Sequence, residues 1–213
     1  MPKSNAIRIL SLLKKEYPGA TTALLHKNTL QLLAATILSA QCTDKRVNTV
    51  TKTLFKRYRD AEDFAGAGRK ELEKDIRSTG FYHNKAKNII GAAKMIVKRF
   101  KCRVPDSMEE LITLPGVARK TANIVLSYGF GKIEGIAVDT HVKRLSFRLG
   151  LTRHNDPVKI ERDLMKLLPK RSWPAVNTLL VAHGRAVCRA GNPKCLECVL
   201  GRLCPSRRIF YPK

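Results

Sequence analysis

Between Asn28 and Thr43 the chain runs for 16 residues without a charged side chain. Its 213 residues otherwise include 41 Lys and Arg and 17 Asp and Glu, so this stretch has to be held away from water. Thr29 to Ala40 is apolar nearly all round a helical wheel, which predicts a central buried helix rather than an amphipathic surface one. Asn28, Gln31 and Gln41, with the short length, exclude a membrane span. A helix that is apolar on every side needs other elements packed around it.

Those elements read as helices too. Ala6, Ile9, Leu10 and Leu13 fall at i, i+3, i+4 and i+7, and that helix ends over Lys14 to Gly19. Val47, Val50, Leu54 and Tyr58 stripe the next helix, for which Asp44 is the expected cap. Asn84 to Phe100 carries Ile89, Ile90, Ala93 and Ile96 on one side and basic residues on the other. Asp106 with Glu109 predicts a capping box, and Asp156-Pro157 predicts the N-cap and first residue of a helix reaching Leu168. Trp173-Pro174 opens a last long helix, running to about Cys188. No segment alternates with period two among β-branched residues, so the expected fold class is all-α.

The formal net charge of +24 accompanies 44% hydrophobic residues and is spread along the chain. This describes a folded basic protein, self-repulsive without an anionic partner, and nucleic acid is the first candidate. The N-terminal region has no export pattern: Lys3, Arg8, Lys14 and Lys15 surround a short apolar stretch from Ile9 to Leu13. The expectation is an intracellular protein of the cytoplasm or nucleoid, without a membrane anchor.

Three constellations carry chemistry. In Leu114-Pro115-Gly116-Val117-Ala118-Arg119-Lys120-Thr121-Ala122-Asn123, a Pro-Gly turn leads into the first turn of an apolar helix, Ala118 to Tyr128. Backbone N–H groups without helical partners and a positive dipole end make that helix start an anion site. Positive potential disfavours the ammonium form of Lys120, making it a candidate nucleophile as well as one more basic residue. Cys188, Cys195, Cys198 and Cys204 crowd into 17 residues with spacing x6, x2, x5. In a reducing compartment such crowding points to metal, either tetrahedral zinc or a cubane iron–sulfur cluster. Only one cysteine pair is close, which favours iron–sulfur without excluding zinc. Arg189 and Lys194 lie in the loop between the first two cysteines, so a bound cluster would stiffen a basic loop. Third, Asp139 precedes a helix from Thr140 to Leu149 and reads as its N-cap; held ionised by backbone N–H groups, it also offers a fixed negative charge. His141 suits packing or capping as well as a functional role.

The Gly116 hairpin with Lys120, Asp139 nineteen residues later, and the cysteine tail together resemble the endonuclease III family of the helix-hairpin-helix DNA glycosylase superfamily. Leu38-Ser39-Ala40-Gln41-Cys42-Thr43-Asp44 and Gly80-Phe81-Tyr82-His83-Asn84-Lys85-Ala86 extend the likeness along the chain. The resemblance implies two helical lobes with a DNA-binding cleft between them. One is a helical barrel over about 22–132 with the helix-hairpin-helix at about 108–128; the other joins 1–21 to 133–213 and holds a 4Fe-4S cluster on the four cysteines. It implies a monomer acting on double-stranded DNA that contains oxidised pyrimidines or abasic sites, with the damaged nucleotide flipped out of the stack. Lys120 would attack C1′, expel the base and form a Schiff base, β-elimination would cut 3′ to the lesion, and Asp139 would assist. Leu114, Gly116, Val117, Ala118 and Arg119 would grip the DNA backbone, joined by Arg189 and Lys194. Gln41 would fill the space of the flipped base, and the alternative for it is a solvent-facing helix-end residue. Phe81 would wedge between base steps, and the alternative is a core aromatic. Asp44 and His141 would border the base pocket.

Two positions depart from the family pattern. Ala118 stands where a second glycine is usual, so a methyl group is expected to hinder phosphate approach or a positive φ. Phe81 stands where Leu is more usual. Mismatch-specific monofunctional glycosylases share the hairpin and cluster but lack the lysine, and Lys120 argues against them. A non-catalytic basic scaffold with a four-cysteine metal site predicts a colourless protein without strand cleavage.

Overall fold

A computed structural model describes residues 2–211, and within them all regular structure is helical. In chain order the α-helices are α1 (Lys3–Glu16), α2 (Thr29–Leu38), α3 (Asp44–Arg57), α4 (Ala61–Ala65), α5 (Arg69–Ile76) and α6 (Tyr82–Arg99). They continue with α7 (Met108–Leu111), α8 (Arg119–Ile124), α9 (Thr140–Arg148), α10 (Pro157–Leu167), α11 (Trp173–Ala186) and α12 (Arg207–Phe210). The short α4, α5 and α12 span too few turns to declare a periodic stripe in the sequence. The chain divides into two compact units, Ala23–Glu134 and a second made of Met1–Thr22 with Gly135–Lys213.

In the continuous unit, α2 is buried from Gln31 through Leu38, as its uncharged sequence requires. Asn28 caps it by accepting from the Gln31 N–H, and the helix stops two residues before Ala40. Leu32, Leu38, Phe64, Leu72, Ile76, Ile96, Leu111 and Leu126 are among the fully buried side chains around it. Tyr58 stacks on Phe64 with ring centroids 5.0 Å apart, so it closes the core beyond the end of α3. Two expected caps move by one residue. Thr43, not Asp44, caps α3 by accepting from the Arg46 N–H, which leaves Asp44 in the first turn, where its charge suits the helix dipole. The capping box belongs to Ser107 and Glu110 rather than Asp106 and Glu109: Ser107 Oγ accepts from the Glu110 N–H and donates to the Glu110 carboxylate at 2.9 Å. Asp106 instead pairs with Lys132 at 2.7 Å.

In the discontinuous unit, Ala6, Ile9, Leu10 and Leu13 of α1 are all buried, together with Val142 and Leu145 of α9, Ile160 and Leu164 of α10, and Val176, Leu179 and Leu180 of α11. Asp156 caps α10 at the Lys159 N–H, with Pro157 following as expected. Gly184 brings α11 close to α9, because a Cβ there would lie 2.6 Å from His141 Nδ1.

Candidate active site and cysteine cluster

Leu114 and Val117 hold the hairpin between α7 and α8 by burying their side chains in the core, at 2% and 6% exposure. Neither side chain is therefore available to DNA, and only the backbone at these two positions can take part in a grip. Between them, Gly116 adopts φ +77°, and a Cβ there would fall 2.7 Å from Asn88 Cβ on α6. One turn further along α6, Gly91 leaves room for Pro115, whose Cγ would lie 3.2 Å from an added Cβ. The hairpin thus rests on one face of α6, and its glycine is required by conformation and by space. Asn88 is a partner that the sequence did not announce, since no short motif links it to Gly116.

Ala118 precedes α8 with φ −92° and ψ 169°, ordinary extended backbone. The expected conflict between its methyl group and a positive φ does not arise. Its side chain offers no cap, so the first N–H groups of α8 are left without a side-chain acceptor from this position. Arg119 and Lys120 occupy the exposed first turn. The expected continuous helix to Tyr128 is instead six α-helical residues followed by a π-helical turn, Val125–Gly129. Gly129 fits there against Thr29 of α2, with an added Cβ 3.0 Å from Thr29 Cγ2.

Gln41 and Phe81 stand on separate loops of the same unit and share a conformation. Both are exposed, and both are non-glycine residues in the left-handed region, at φ 52° and 49°. Phe81 is 63% exposed, so it is not the core aromatic; Tyr82 beside it is the one packed against the core. Lys85, four residues on, is 4% exposed and donates from Nζ to the carbonyls of Leu38 at 2.7 Å and Thr79 at 2.8 Å. Burial lowers its pKa from the usual lysine value, opposed by the charge of a Cys42 thiolate.

In the discontinuous unit, Asp139 caps α9: Oδ1 accepts from the Val142 N–H at 2.8 Å. His141 Nδ1 accepts from the Arg144 guanidinium at 3.1 Å, which ties the ring into the α9–α11 packing. Arg144 also donates to the carbonyls of Gly184 and Cys188.

Cys188, Cys195, Cys198 and Cys204 line one pocket with Arg148, His183, Lys194 and Arg207. Among the described residues, no three or more His, Cys, Asp or Glu side chains are gathered closely enough to hold a single metal ion. Burial pushes the Cys198 thiol up to about 11, with the like charges of Cys204, Cys188 and Cys195 adding to it, and burial raises Cys204 and Cys195 as well. Four bare thiolates would repel one another here, so the donor set calls for a cationic occupant. Polar contacts to the sulfurs are already in place: Arg148 Nη1 lies 3.4 Å from Cys188 Sγ, and His183 Nε2 lies 3.4 Å from Cys198 Sγ. His183 is buried, its pKa lowered to about 4 by desolvation, and its Nδ1 faces Tyr17 Oη at 3.0 Å. Arg148 also donates to the carbonyls of Arg189 and Ala190, each at 2.7 Å. The basic loop is therefore held in part by a protein side chain, which the cysteine spacing does not reveal. Arg189 is exposed, while Lys194 sits 3.4 Å from Glu197.

The comparisons with known proteins converge. The chain is 59% identical over 204 residues to an endonuclease III of Synechocystis, covering 96% of this chain and 93% of that one. It is 48% identical over 189 residues to an endonuclease III of Bacillus subtilis, covering 88% and 86%. A solved structure of a trapped endonuclease III–DNA covalent intermediate superposes with a TM-score of 0.93 at 43% identity, covering 98% of both chains. A thermostable thymine-DNA glycosylase shares the fold, with a TM-score of 0.85 at 21% identity over 97% of this chain and 98% of that one. Residues 34–170, which include the hairpin, Lys120 and Asp139, match the family model of the HhH-GPD superfamily base excision DNA repair proteins, and the chain belongs to that family.

Proposed function

We propose that this protein is a base excision repair enzyme acting on double-stranded DNA, a DNA glycosylase with abasic-site lyase activity that uses Lys120 as its nucleophile. The observation that carries the reading is the placement of Lys120. It is exposed in the first helical turn after the Gly116 hairpin, in a chain 43% identical to an endonuclease III captured in a covalent complex with DNA. No helix among the described residues is long and apolar enough to cross a membrane.

In this reading the hairpin backbone at Gly116 to Ala118, with Arg119, holds the phosphates beside the lesion, and the flipped nucleotide presents C1′ to Lys120. The neutral amine attacks C1′, the bond to the base breaks, and the base leaves with the electron pair and a proton. Ring opening gives an imine between Lys120 and the sugar. The protonated imine acidifies the neighbouring C2′–H, and loss of that proton expels the 3′ phosphate. Asp139, fixed by its N-cap bond, supplies negative charge toward the oxocarbenium-like sugar and assists proton transfer. Oxidised pyrimidines are the proposed lesions. Gln41 and Phe81 enter the duplex, as two exposed side chains held on strained backbone.

The four cysteines fit a 4Fe-4S cluster, supported by the gathering of all four on one pocket, where the like charges of bare thiolates call for a cationic partner. When bound, the cluster supplies four strong bonds that hold the Cys188–Cys204 segment in one shape. Arg189 and Lys194 then meet DNA from a rigid loop.

Borohydride reduction on DNA bearing an abasic site tests the nucleophile. A covalent protein–DNA adduct is expected with the wild type and none with Lys120→Ala. An undiminished adduct in the variant overturns the assignment.

A further inference from the structure

The two loops that carry Gln41 and Phe81 meet at one buried cation. Leu38 ends α2, where helix carbonyls lack intrahelical partners, and Gln41 follows three residues later. Thr79 ends a 3-10 turn, Arg77–Thr79, and Phe81 follows two residues later across Gly80 at φ 68°. Lys85 Nζ joins these two carbonyls, which belong to residues 41 positions apart in sequence. The backbone of Lys85 adds a third restraint by donating its N–H to the Phe81 carbonyl at 3.1 Å. Among the described residues, only four non-glycine positions have positive φ, and two of them are Gln41 and Phe81. Such conformations persist only where the surroundings over-determine them. A lysine with its head buried is costly, and an apolar side chain would fill the same space more cheaply. What an apolar side chain lacks is the ability to bond both loops at once.

We propose that Lys85 is a positioning residue for the reaction on duplex DNA: its ammonium clamps the Gln41 and Phe81 loops together so that both side chains enter the base stack at the same lesion. This rests on the reading of Gln41 and Phe81 as duplex-inserting residues. Lys85 itself is enclosed, with its head group committed to the two carbonyls, and it takes no part in the covalent chemistry.

The test compares abasic-site cleavage on duplex and on single-stranded oligonucleotides, since a single strand has no opposing stack to open. Lys85→Met keeps the aliphatic stem and removes the donors. Its duplex-to-single-strand ratio of kcat/KM is expected to fall roughly ten- to hundredfold, the effect of losing charge-assisted hydrogen bonds. Amide hydrogen exchange in the free protein is expected to rise in residues 39–44 and 78–82 together. Lys85→Gln, which retains a neutral donor, is expected to fall between wild type and Lys85→Met, and it carries the comparison if the methionine variant folds poorly. Gln41→Ala and Phe81→Ala separate the two readings. If they lower the ratio while the Lys85 variants do not, the clamp is overturned and the insertion reading stands. If neither they nor the Lys85 variants change the ratio, the insertion reading fails and the clamp falls with it. Equal losses on duplex and single strand in both Lys85 variants make Lys85 a structural residue and overturn the proposal.

Discussion

At Gly116 an added methyl group meets two obstacles at once, a positive φ and the Asn88 side chain 2.7 Å away. Gly116→Ala is therefore expected to lower stability by about 1–3 kcal/mol, through backbone strain and displacement of Asn88. It should also weaken duplex binding as the hairpin shifts. Ala118→Gly two residues away is the control: its extended, exposed backbone accepts either residue, so urea melts are expected to differ from wild type by less than about 0.5 kcal/mol. A larger loss at Ala118 than at Gly116 would contradict the geometry. Lys85 makes a pH-dependent prediction. Burial lowers its pKa in the folded chain, while in the unfolded chain it titrates near ~10.4. Between those two pH values the unfolded state binds more protons, so stability rises with pH on this account. Measured as wild type minus Lys85→Met at pH values rising toward the unfolded lysine pKa, the stability difference is expected to grow. Tyr17 and Tyr58, whose pKa values burial raises, cancel in that difference. A flat or falling difference refutes the account.

Helix ends and loops decide how the functional side chains are presented. Four of the longer helices start on a capping side chain: Asn28, Thr43, Asp139 and Asp156 each accept from a first-turn N–H. The start of α8 has no such side chain at its N-cap position, because Ala118 cannot accept. At the other end of the chemistry, α9 projects Arg144 and Arg148 one turn apart toward the Cys188 segment. Arg148→Met would strand the carbonyls of Arg189 and Ala190 and remove a donor to Cys188 Sγ. Hydrogen exchange over residues 189–194 is expected to accelerate at least roughly tenfold, from the loss of charge-assisted bonds. Unchanged exchange there would show that the cysteines alone hold the loop.

For the molecule as a whole, a net charge of +24 makes DNA binding a counterion-release reaction. Each neutralised phosphate contributes about −0.9 to the slope of log K against log salt. Arg189→Ala is expected to reduce that slope by about one such increment, whereas Lys194→Ala should reduce it less, because Glu197 already sits 3.4 Å from its ammonium. Equal slopes for wild type and Arg189→Ala would remove Arg189 from the interface.

The all-α class and most helix stripes are written in the sequence, since a 3.6-residue apolar period and an uncharged α2 leave few other ways to bury side chains. The candidate nucleophile and the four cysteines are legible for a related reason: their chemistry depends on residue type and on spacing within a short segment. Which residue caps a helix is less legible, and Asp44 and Asp106 each lost that role to an adjacent hydroxyl because register depends on the incoming chain. The sequence does not show that Leu114 and Val117 bury their side chains in the core, because an apolar residue beside a turn reads the same inside or outside. Asn88 against Gly116, Arg148 against the cysteine loop and Lys85 between two loops belong to the tertiary structure alone. Each joins residues far apart in the chain, and nothing local to Lys85 distinguishes it among 41 basic residues until folding encloses it with two carbonyls.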